Sequence, residues 1–393
     1  MTGSASSPES PWSSPSSAST WSRTACKTSW IRTSGVEPYT VARARSANRK
    51  FAQATHSTPW RETVKALKKI AVAAALFAAA GAAPAQAPRP LELIAFGGGG
   101  NWPIWAAQEK GLFAKNGIAV KLSFTPNSVE QIRDLMNGTY DLGTTAYDNV
   151  VAYQEGQGET ELPVQPDLFA FMGGYSGSLR FVTQPDIKNY ADLKGKTLGV
   201  DAATTGFAFI LYKLAALNGL SSADYKVERL GGTPARVQAM MEGRIAGTMI
   251  SSPSEILPES KGYTRLGDTT TTFGPYQASI GVARRAWAAK NGDRLVAFIR
   301  SYVAAMDWLR QPANKDEAIS IYVKHVTSAP RPAAQKAYEV MFAEKEGFQK
   351  RAKLDLEGCR TVLKLRSEFG KPQKDLTDPT KYIDDSFYRK AVQ

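Results

Sequence analysis

The chain has 393 residues, of which 49 are basic and 36 acidic, and its formal net charge is +13. Residues 1–87 hold 11 of the basic and 3 of the acidic residues, which leaves 38 against 33, about +5, for the rest. A nucleic-acid-binding surface therefore loses its main support. The two cysteines are Cys26 and Cys359, so the chain after residue 87 can form neither a disulfide framework nor a cysteine metal site.

Residues 1–63 lack the pattern of a folded domain. The first 20 residues contain nine Ser and three Pro, and no sustained hydrophobic periodicity follows up to Arg61. Such a composition buries too little apolar surface to offset the chain entropy lost on folding. We predict that residues 1–63 are a wrongly assigned or disordered leader and that translation begins at Val64.

A short basic and apolar segment follows at 64–87. The basic stretch KALKK (65–69) precedes an apolar run at 70–80 and then Ala-Gln-Ala at 85–87. This order is typical of a secretory signal peptide with its cleavage site, and the run is too short to span a bilayer. We expect a soluble periplasmic product that begins at Pro88, without a lipid anchor because no cysteine follows the cleavage site.

From Pro88 onward, strand patterns alternate with helix patterns. The first series has a strand at 91–96, a glycine run at 97–100, a helix at 104–114 and a strand at 120–124. The second series has a strand at 197–200, a turn at 201–206, a helix at 207–217 and a strand at 225–230. Strands alternating with helices of this length predict parallel sheets wound on both faces. We therefore expect an α/β fold with two lobes, each a doubly wound sheet flanked by helices.

One helix–strand unit occurs twice, at 127–150 and again at 233–256. The first copy has Asn127 as predicted N-cap, and in the second Thr233 caps the helix with Pro234 at its first position. Each helix stops at a glycine, and a short strand then ends in hydroxyl residues: Thr144 and Thr145 in one copy, Ser251 and Ser252 in the other. Because ligands of open α/β sheets bind outside the carboxyl ends of strands, both copies predict ligand contacts. Ordinary polar turns are the alternative.

Two segments join the predicted lobes. Residues 168–183 read as a long strand interrupted by glycines, and residues 273–282 read as the return. Amphipathic helices follow to the C-terminus. We expect lobe one at 88–180 and 275–393 and lobe two at 181–274, with the paired crossover segments acting as a hinge.

Four stretches carry a resemblance to a known family: WPIWAAQEKGLFAKNGIAVKL, MNGTYDLGTTAYDNV, YADLKGKTLGV and MEGRIAGTMISSP. They resemble the periplasmic substrate-binding proteins of ABC importers, in the group for nitrate, sulfonates, taurine and thiamine-pyrimidine precursors (NMT1/THI5-like). The likeness covers residues 91–393 in order. It implies a two-lobed class-II periplasmic binding-protein fold, with the ligand in the cleft between the lobes and a permease and its ATPase as partners.

The candidate ligand-binding residues lie at strand ends, at a helix start and on the crossover segments. They are Asn101, Trp102, Thr144, Thr145, Tyr147, Tyr175, Ser176, Ser178, Thr204, Thr205, Phe207, Ser251, Ser252 and Tyr276. Core packing is the alternative for Trp102 and Phe207, and helix capping is the alternative for the threonines. Arg180 on the first crossover is a further possible contact.

Thr204 and Thr205 precede a predicted helix, whose first N–H groups and dipole favour a negatively charged oxygen. Capping requires one of these hydroxyls, so the pair suggests an oxyanion site. We expect a small organic anion, such as a sulfonate or carboxylate, although an uncharged heteroaromatic compound fits the aromatic candidates equally well.

Enzyme functions find little support in the residues. The glycine run at 97–100 lacks the Gly-Lys-Ser/Thr of a phosphate loop, and Trp102 stands where a dinucleotide-binding pattern needs glycine. His325, the single histidine after residue 87, lies in a helical pattern beside Lys324 and reads as a surface residue, so we expect neither a histidine metal site nor a Ser-His-Asp set. The pyrimidine synthases of the same fold carry a cysteine cluster that this sequence lacks. We expect a monomeric binding protein without cofactor or metal; an enzyme acting on a pyrimidine-like substrate is the alternative.

Overall fold

The computed structural model describes residues 89–177 and 179–393. The predicted leader at 1–63, the predicted signal peptide at 64–87 and Ser178 lie outside the described residues. In the described part, no helix combines the length and the apolar character needed to cross a bilayer.

The elements are given in chain order. The strands are β1 Arg89–Phe96, β2 Ile118–Thr125, β3 Leu142–Thr145, β4 Leu168–Gly173, β5 Tyr175–Ser176, β6 Leu179–Thr183, β7 Thr197–Val200, β8 Lys226–Arg229, β9 Gly247–Ser251, β10 Thr264–Asp268, β11 Ile280–Arg284 and β12 Gly347–Phe348. The helices are α1 Trp102–Glu109, α2 Leu112–Lys115, α3 Ser128–Met136, α4 Tyr147–Gln154, α5 Gly206–Leu217, α6 Thr233–Met241, α7 Ile256–Ser260, α8 Thr269–Phe273, α9 Arg285–Lys290, α10 Gly292–Leu309, α11 Lys315–His325, α12 Arg331–Met341, α13 Leu356–Phe369 and α14 Ser386–Val392.

Two five-stranded sheets share one topology. The first has the order β2-β1-β3-β11-β4 and the second, taken in the same sense, β8-β7-β9-β6-β10. In each sheet the first three strands are parallel, and the fourth strand runs antiparallel to both of its neighbours. β6 follows the outward crossover directly and β11 follows the return, so each sheet receives its fourth strand immediately after the chain changes lobe. The predicted α/β class with two crossover segments is confirmed.

The repeated unit forms α3 with β3 in the first sheet and α6 with β9 in the second, so it occupies equivalent positions. Gly138 and Gly243 end the two helices at φ of 87° and 78°, which is the left-handed conformation predicted for them. Asn127 caps α3 by accepting a hydrogen bond of 2.8 Å from the N–H of Glu130. The cap predicted at Thr233 is wrong, because α6 begins at this residue and its hydroxyl bonds Arg236 instead.

The helix predicted at 104–114 is two helices. α1 ends at Glu109, and Gly111 takes a left-handed φ of 64° before α2 begins at Leu112. After this turn α2 packs against β2, whereas α1 packs against α10 and α11.

The hydrophobic core does not separate cleanly into one core per lobe. One cluster contains Ile132 and Val150 from the first lobe together with Leu198 and Ile210 from the second. Helix α13 belongs to the same cluster and packs against both α4 and α5. The C-terminal part of the chain therefore joins the two lobes on the side of the crossovers.

Candidate functional site

A cleft lies between the carboxyl ends of the two sheets, with a volume of about 790 Å³ that includes its opening to solvent. Both lobes contribute to its wall. The lining residues are Phe96, Gly97, Gly98, Gly99, Gly100, Asn101, Thr144, Thr145, Ala146, Asn149, Tyr175, Asp201, Thr205, Gly206, Phe207, Gly232, Thr233, Arg236, Ser251, Ser252, Ser254, Ala278 and Ser279.

The glycine run after β1 lies against the second lobe. A side chain at Gly99 would place its Cβ 2.7 Å from Cδ of Pro253, and Gly98 has a left-handed φ of 126°. Asn101 holds this turn by donating its side-chain N–H groups to the carbonyls of Phe96, at 2.7 Å, and Gly98, at 3.0 Å. Because both partners are carbonyl oxygens, the amide oxygen of Asn101 is the atom left for a ligand.

Among the described residues, the charged side chains that line the cleft are those of Asp201 and Arg236. Arg236 is buried, and it donates to the carbonyl of Gly231 at 2.9 Å, the hydroxyl of Thr248 at 2.8 Å and the carbonyl of Met249. Burial lowers the pKa of Arg236 to about 10, although the nearby Asp201 carboxylate opposes this shift. The guanidinium therefore stays charged at neutral pH, and its position is fixed by the protein.

Asp201 follows β7 and reaches across the cleft. Its two carboxylate oxygens accept the N–H of Ser128, the first residue of α3 in the opposite lobe, at 3.3 and 3.2 Å. Burial raises the pKa of Asp201, while the bonds from Ser128 and the charge of Arg236 act against that increase. The negative charge of Asp201 and the positive charge of Arg236 therefore balance each other in the lining of the cleft.

The turn before α5 brings Thr205 and Phe207 to the cleft. Thr205 caps the helix: its hydroxyl accepts from the N–H of Ala208 at 3.4 Å and donates to the carbonyl of Ala202 at 3.0 Å. Thr204 points elsewhere, because its N–H and hydroxyl are both donated to Glu159, at 3.0 and 2.9 Å.

The structure brings eight predicted site residues to the cleft. These are Asn101, Thr144, Thr145, Tyr175, Thr205, Phe207, Ser251 and Ser252. They come from the loop after β1, from the strand ends of both copies of the repeated unit, from the first crossover and from the start of α5.

Other predicted residues lie outside the lining. Trp102 is fully buried, donates its indole N–H to the carbonyl of Ala318 at 3.0 Å and packs 4.4 Å from the ring of Tyr322. Tyr147 is also fully buried, with its hydroxyl bonded to the carbonyl of Pro379 at 2.9 Å. Both rings complete the core of the first lobe rather than a ligand site.

The crossover residues divide in a similar way. Ser176 bonds the carbonyl of Tyr276 and the carboxylate of Asp355, both at 3.3 Å, and Tyr276 is buried in the core. Arg180 is buried and forms ion pairs with Asp268 and Glu346, so it does not line the cleft. Ser178 lies outside the described residues.

Sequence reasoning missed several lining residues, including Phe96, Asn149, Asp201, Thr233, Arg236, Ser254 and Ser279. The position of Asp201 directly at the carboxyl end of β7 could have indicated a ligand contact. Nothing in the sequence indicated Arg236, since an arginine within a helix pattern is ordinarily exposed. Among the described residues, no group of three or more His, Cys, Asp or Glu side chains is placed to hold a metal ion.

Comparison with solved structures finds the same fold. The periplasmic nitrate-binding protein from Synechocystis PCC 6803 is 13% identical, with a TM-score of 0.65 over 77% of this chain and 88% of that protein. The alkanesulfonate-binding protein from Xanthomonas axonopodis pv. citri, bound to MOPS, is 16% identical, with a TM-score of 0.58 over 74% and 96%. The two-lobed periplasmic binding-protein architecture expected from the sequence is thereby confirmed.

Sequence comparison adds a relative and a family. The formylaminopyrimidine-binding protein from Halalkalibacterium halodurans is 22% identical over 247 residues, which are 60% of this chain and 70% of that protein. The family model described as NMT1/THI5 like matches residues 101–315, more than half of the chain. The chain therefore belongs to the NMT1/THI5-like family.

Proposed function

We propose that this chain is the periplasmic solute-binding subunit of an ABC importer. It captures a small organic molecule in the cleft and delivers it to a permease and its ATPase. The observation that carries the proposal is a cleft whose polar wall is shared between two lobes linked by two crossover segments. A ligand that contacts both lobes binds the closed form more tightly than the open form. It therefore favours closure, which is what a capture protein requires.

The proposed ligand is a small organic anion, a sulfonate or a carboxylate. Arg236 supplies a fixed positive charge to the wall, and Phe207 contributes a backbone N–H from the first turn of α5, where the helix dipole favours negative charge. Thr144 and Ser254 add hydroxyls that form no hydrogen bond within the described part of the chain. These groups are able to surround an oxyanion.

An uncharged heteroaromatic compound is the second candidate ligand. Asp201 favours it, because this carboxylate balances Arg236 and accepts N–H groups rather than oxyanions. The amide oxygen of Asn101 is a second acceptor, and Phe96, Tyr175 and Phe207 supply flat apolar contacts. The formylaminopyrimidine-binding relative supports the same alternative.

A ligand screen with one matched variant separates the two candidates. The purified protein is tested by thermal shift and calorimetry against methanesulfonate, benzoate and an aminopyrimidine. The Asp201→Asn variant removes the negative charge while keeping the shape, and Asp186→Asn, at an exposed position in the same lobe, is the control. An anion is expected to bind Asp201→Asn several-fold more tightly, whereas an aminopyrimidine is expected to bind it more weakly. An unchanged affinity for every compound contradicts a ligand role for Asp201.

The enzyme alternative is tested on the same samples. After incubation with saturating compound, mass spectrometry of the released molecule is expected to show it unaltered. A chemically changed product formed in more than one turnover per protein molecule contradicts the binding-protein proposal.

A further inference from the structure

A buried ion pair lies behind the wall of the cleft. Arg366 on α13 donates from Nε to Oδ1 of Asp148 at 2.6 Å and from Nη2 to Oδ2 at 2.7 Å. Arg366 is 0% exposed and Asp148 on α4 is 1% exposed. Both residues belong to the lobe of the first sheet and its C-terminal helices.

The same two side chains reach the opposite lobe. Oδ2 of Asp148 also accepts the N–H of Gly206 at 2.6 Å, and Nη2 of Arg366 also donates to the carbonyl of Thr204 at 2.6 Å. The ion pair therefore contacts the turn before α5 through one backbone donor and one backbone acceptor. Glu159 completes this arrangement by accepting the N–H of Thr204.

This turn is the place where the residues suggested an oxyanion ligand. Its first helical N–H is instead occupied by a carboxylate of the protein itself. Gly206 permits the approach, since a Cβ there would lie 2.6 Å from Cγ of Asp148. The next residue, Phe207, lines the cleft, and its N–H belongs to the first helical turn, where N–H groups have no partner within the helix.

An ion pair is a costly way to fill a core. Two buried charges lose their hydration, and apolar side chains of similar volume stabilise a protein equally well or better. What this ion pair provides is a fixed orientation. The planar guanidinium of Arg366 holds the carboxylate of Asp148 in place, and both groups form hydrogen bonds with backbone atoms of the other lobe.

We propose that Asp148 and Arg366 are positioning residues for the cleft. They hold the turn 204–206 against the first lobe, so that Thr205 and Phe207 present a fixed helix N-terminus to the ligand without either charged side chain touching it. This inference rests on the proposed function only in taking the cleft as the ligand site.

Hydrogen exchange of backbone amides in the ligand-free protein tests the inference. Asp148→Ala/Arg366→Met removes both charges together and leaves the N–H of Gly206 without its acceptor. Loss of a bond to a charged group predicts exchange at Gly206 roughly ten- to a hundredfold faster. Asp148→Asn/Arg366→Met restores an oxygen at this position, and its exchange rate is expected to lie between the wild-type rate and that of the first variant.

The control is Lys213→Met, which breaks another link between α5 and α13, the 2.7 Å ion pair of Lys213 with Glu368 at the surface. It is expected to leave Gly206 unchanged. Exchange at Gly206 within twofold of wild type in Asp148→Ala/Arg366→Met overturns the proposal, as does an equal increase throughout α5. If that variant does not fold, the comparison of Asp148→Asn/Arg366→Met with Lys213→Met decides in the same way.

A second measurement connects the pair to the cleft. The compound that raises the melting temperature most in the screen above is expected to bind both double variants about tenfold more weakly, and Lys213→Met normally. Normal affinity in both double variants overturns the positioning role. If no compound binds wild-type protein, the proposed function fails, and the exchange result still tests the contact with the turn.

Discussion

Gly206 shows how closely the two lobes approach at a single residue. A Cβ at this position would lie 2.6 Å from Cγ of Asp148 and 2.7 Å from the hydroxyl of Tyr276, and both of these side chains are buried. Neither neighbour has space in which to move, so an added methyl group has to displace the start of α5.

We therefore expect Gly206→Ala to lower the free energy of unfolding by about 1–3 kcal/mol and to weaken ligand binding. Gly97→Ala is the matched control, because it adds a methyl group to the same cleft at an ordinary contact of 3.8 Å from Pro234. Chemical denaturation and calorimetry on the two variants measure both effects. Equal behaviour of the two variants is evidence against a tight approach at Gly206.

The two threonines before α5 have different neighbours and should respond differently to substitution. The hydroxyl of Thr204 bonds Glu159 away from the cleft, whereas Thr205 caps α5 and lines the cleft. Each replacement by alanine is expected to cost on the order of 1 kcal/mol of stability through the lost bond or cap.

Their effects on affinity are expected to diverge. Thr204→Ala should bind ligand normally, and Thr205→Ala should bind less tightly if its hydroxyl or the helix start contacts the ligand. Melting temperature and ligand affinity are measured on both variants. If both variants bind ligand normally, the turn has a structural role alone. A loss of affinity confined to Thr204→Ala would contradict the geometry.

At the scale of elements, the end of α4 attaches the C-terminal segment. Glu155 accepts hydrogen bonds from Lys374 at 2.9 Å, from Tyr382 at 2.8 Å and from Lys381. Burial alone would raise the pKa of Glu155, but these donors outweigh it and lower the pKa to about 2. The folded protein therefore keeps this carboxylate ionised at pH values where the unfolded chain binds a proton.

The sign of the pH effect follows from this difference. A lowered pKa contributes stability that is present above the ordinary value of 4.5 and is lost as the pH falls towards 2. Glu155→Gln should thus be less stable than wild type at pH 7, with a difference that shrinks between pH 4.5 and 2. Urea unfolding at several pH values measures it, with the exposed Glu344→Gln as control. A constant difference across this range contradicts the prediction.

Trp102 on α1 and Tyr147 on α4 show that the packing of helices decides whether an aromatic side chain reaches the cleft. Trp102 and Tyr147 are each the first residue of a helix that follows a strand in the chain, where a ligand role is reasonable. In the structure α1 lies under α10 and α11, and the ring of Trp102 packs among Tyr322, Tyr338 and Phe342. The C-terminal helices supply these neighbours, and no pattern near residue 102 announces them.

At the scale of the whole molecule, the two lobes touch across the cleft. The N–H of Gly232 bonds the carbonyl of Pro126 at 2.8 Å, and Asp201 bonds the N–H of Ser128. Both are hydrogen bonds donated by a backbone N–H, and contacts of this kind are compatible with an equilibrium between open and closed forms.

We expect ligand to shift that equilibrium towards the closed form. Small-angle scattering of the purified protein should show a smaller radius of gyration with the compound selected in the screen than without it. A compound that fails to stabilise the protein serves as the negative control. No contraction at saturation would argue against hinge closure as the means of capture.

The sequence by itself determined the architecture, and the tertiary structure decided the site. The helix–strand unit that occurs twice, the glycine stops at 138 and 243 and the two crossovers are local patterns, and local patterns depend on nearby residues. The tertiary contacts of a side chain, by contrast, are not determined by its neighbours in the sequence. Arg366 and Asp148 are 218 positions apart, and Trp102 bonds a carbonyl 216 positions away. The turn predicted as an anion site instead meets the protein's own carboxylates, Glu159 at Thr204 and Asp148 at Gly206. Folding brings together groups whose spacing along the chain carries no signal.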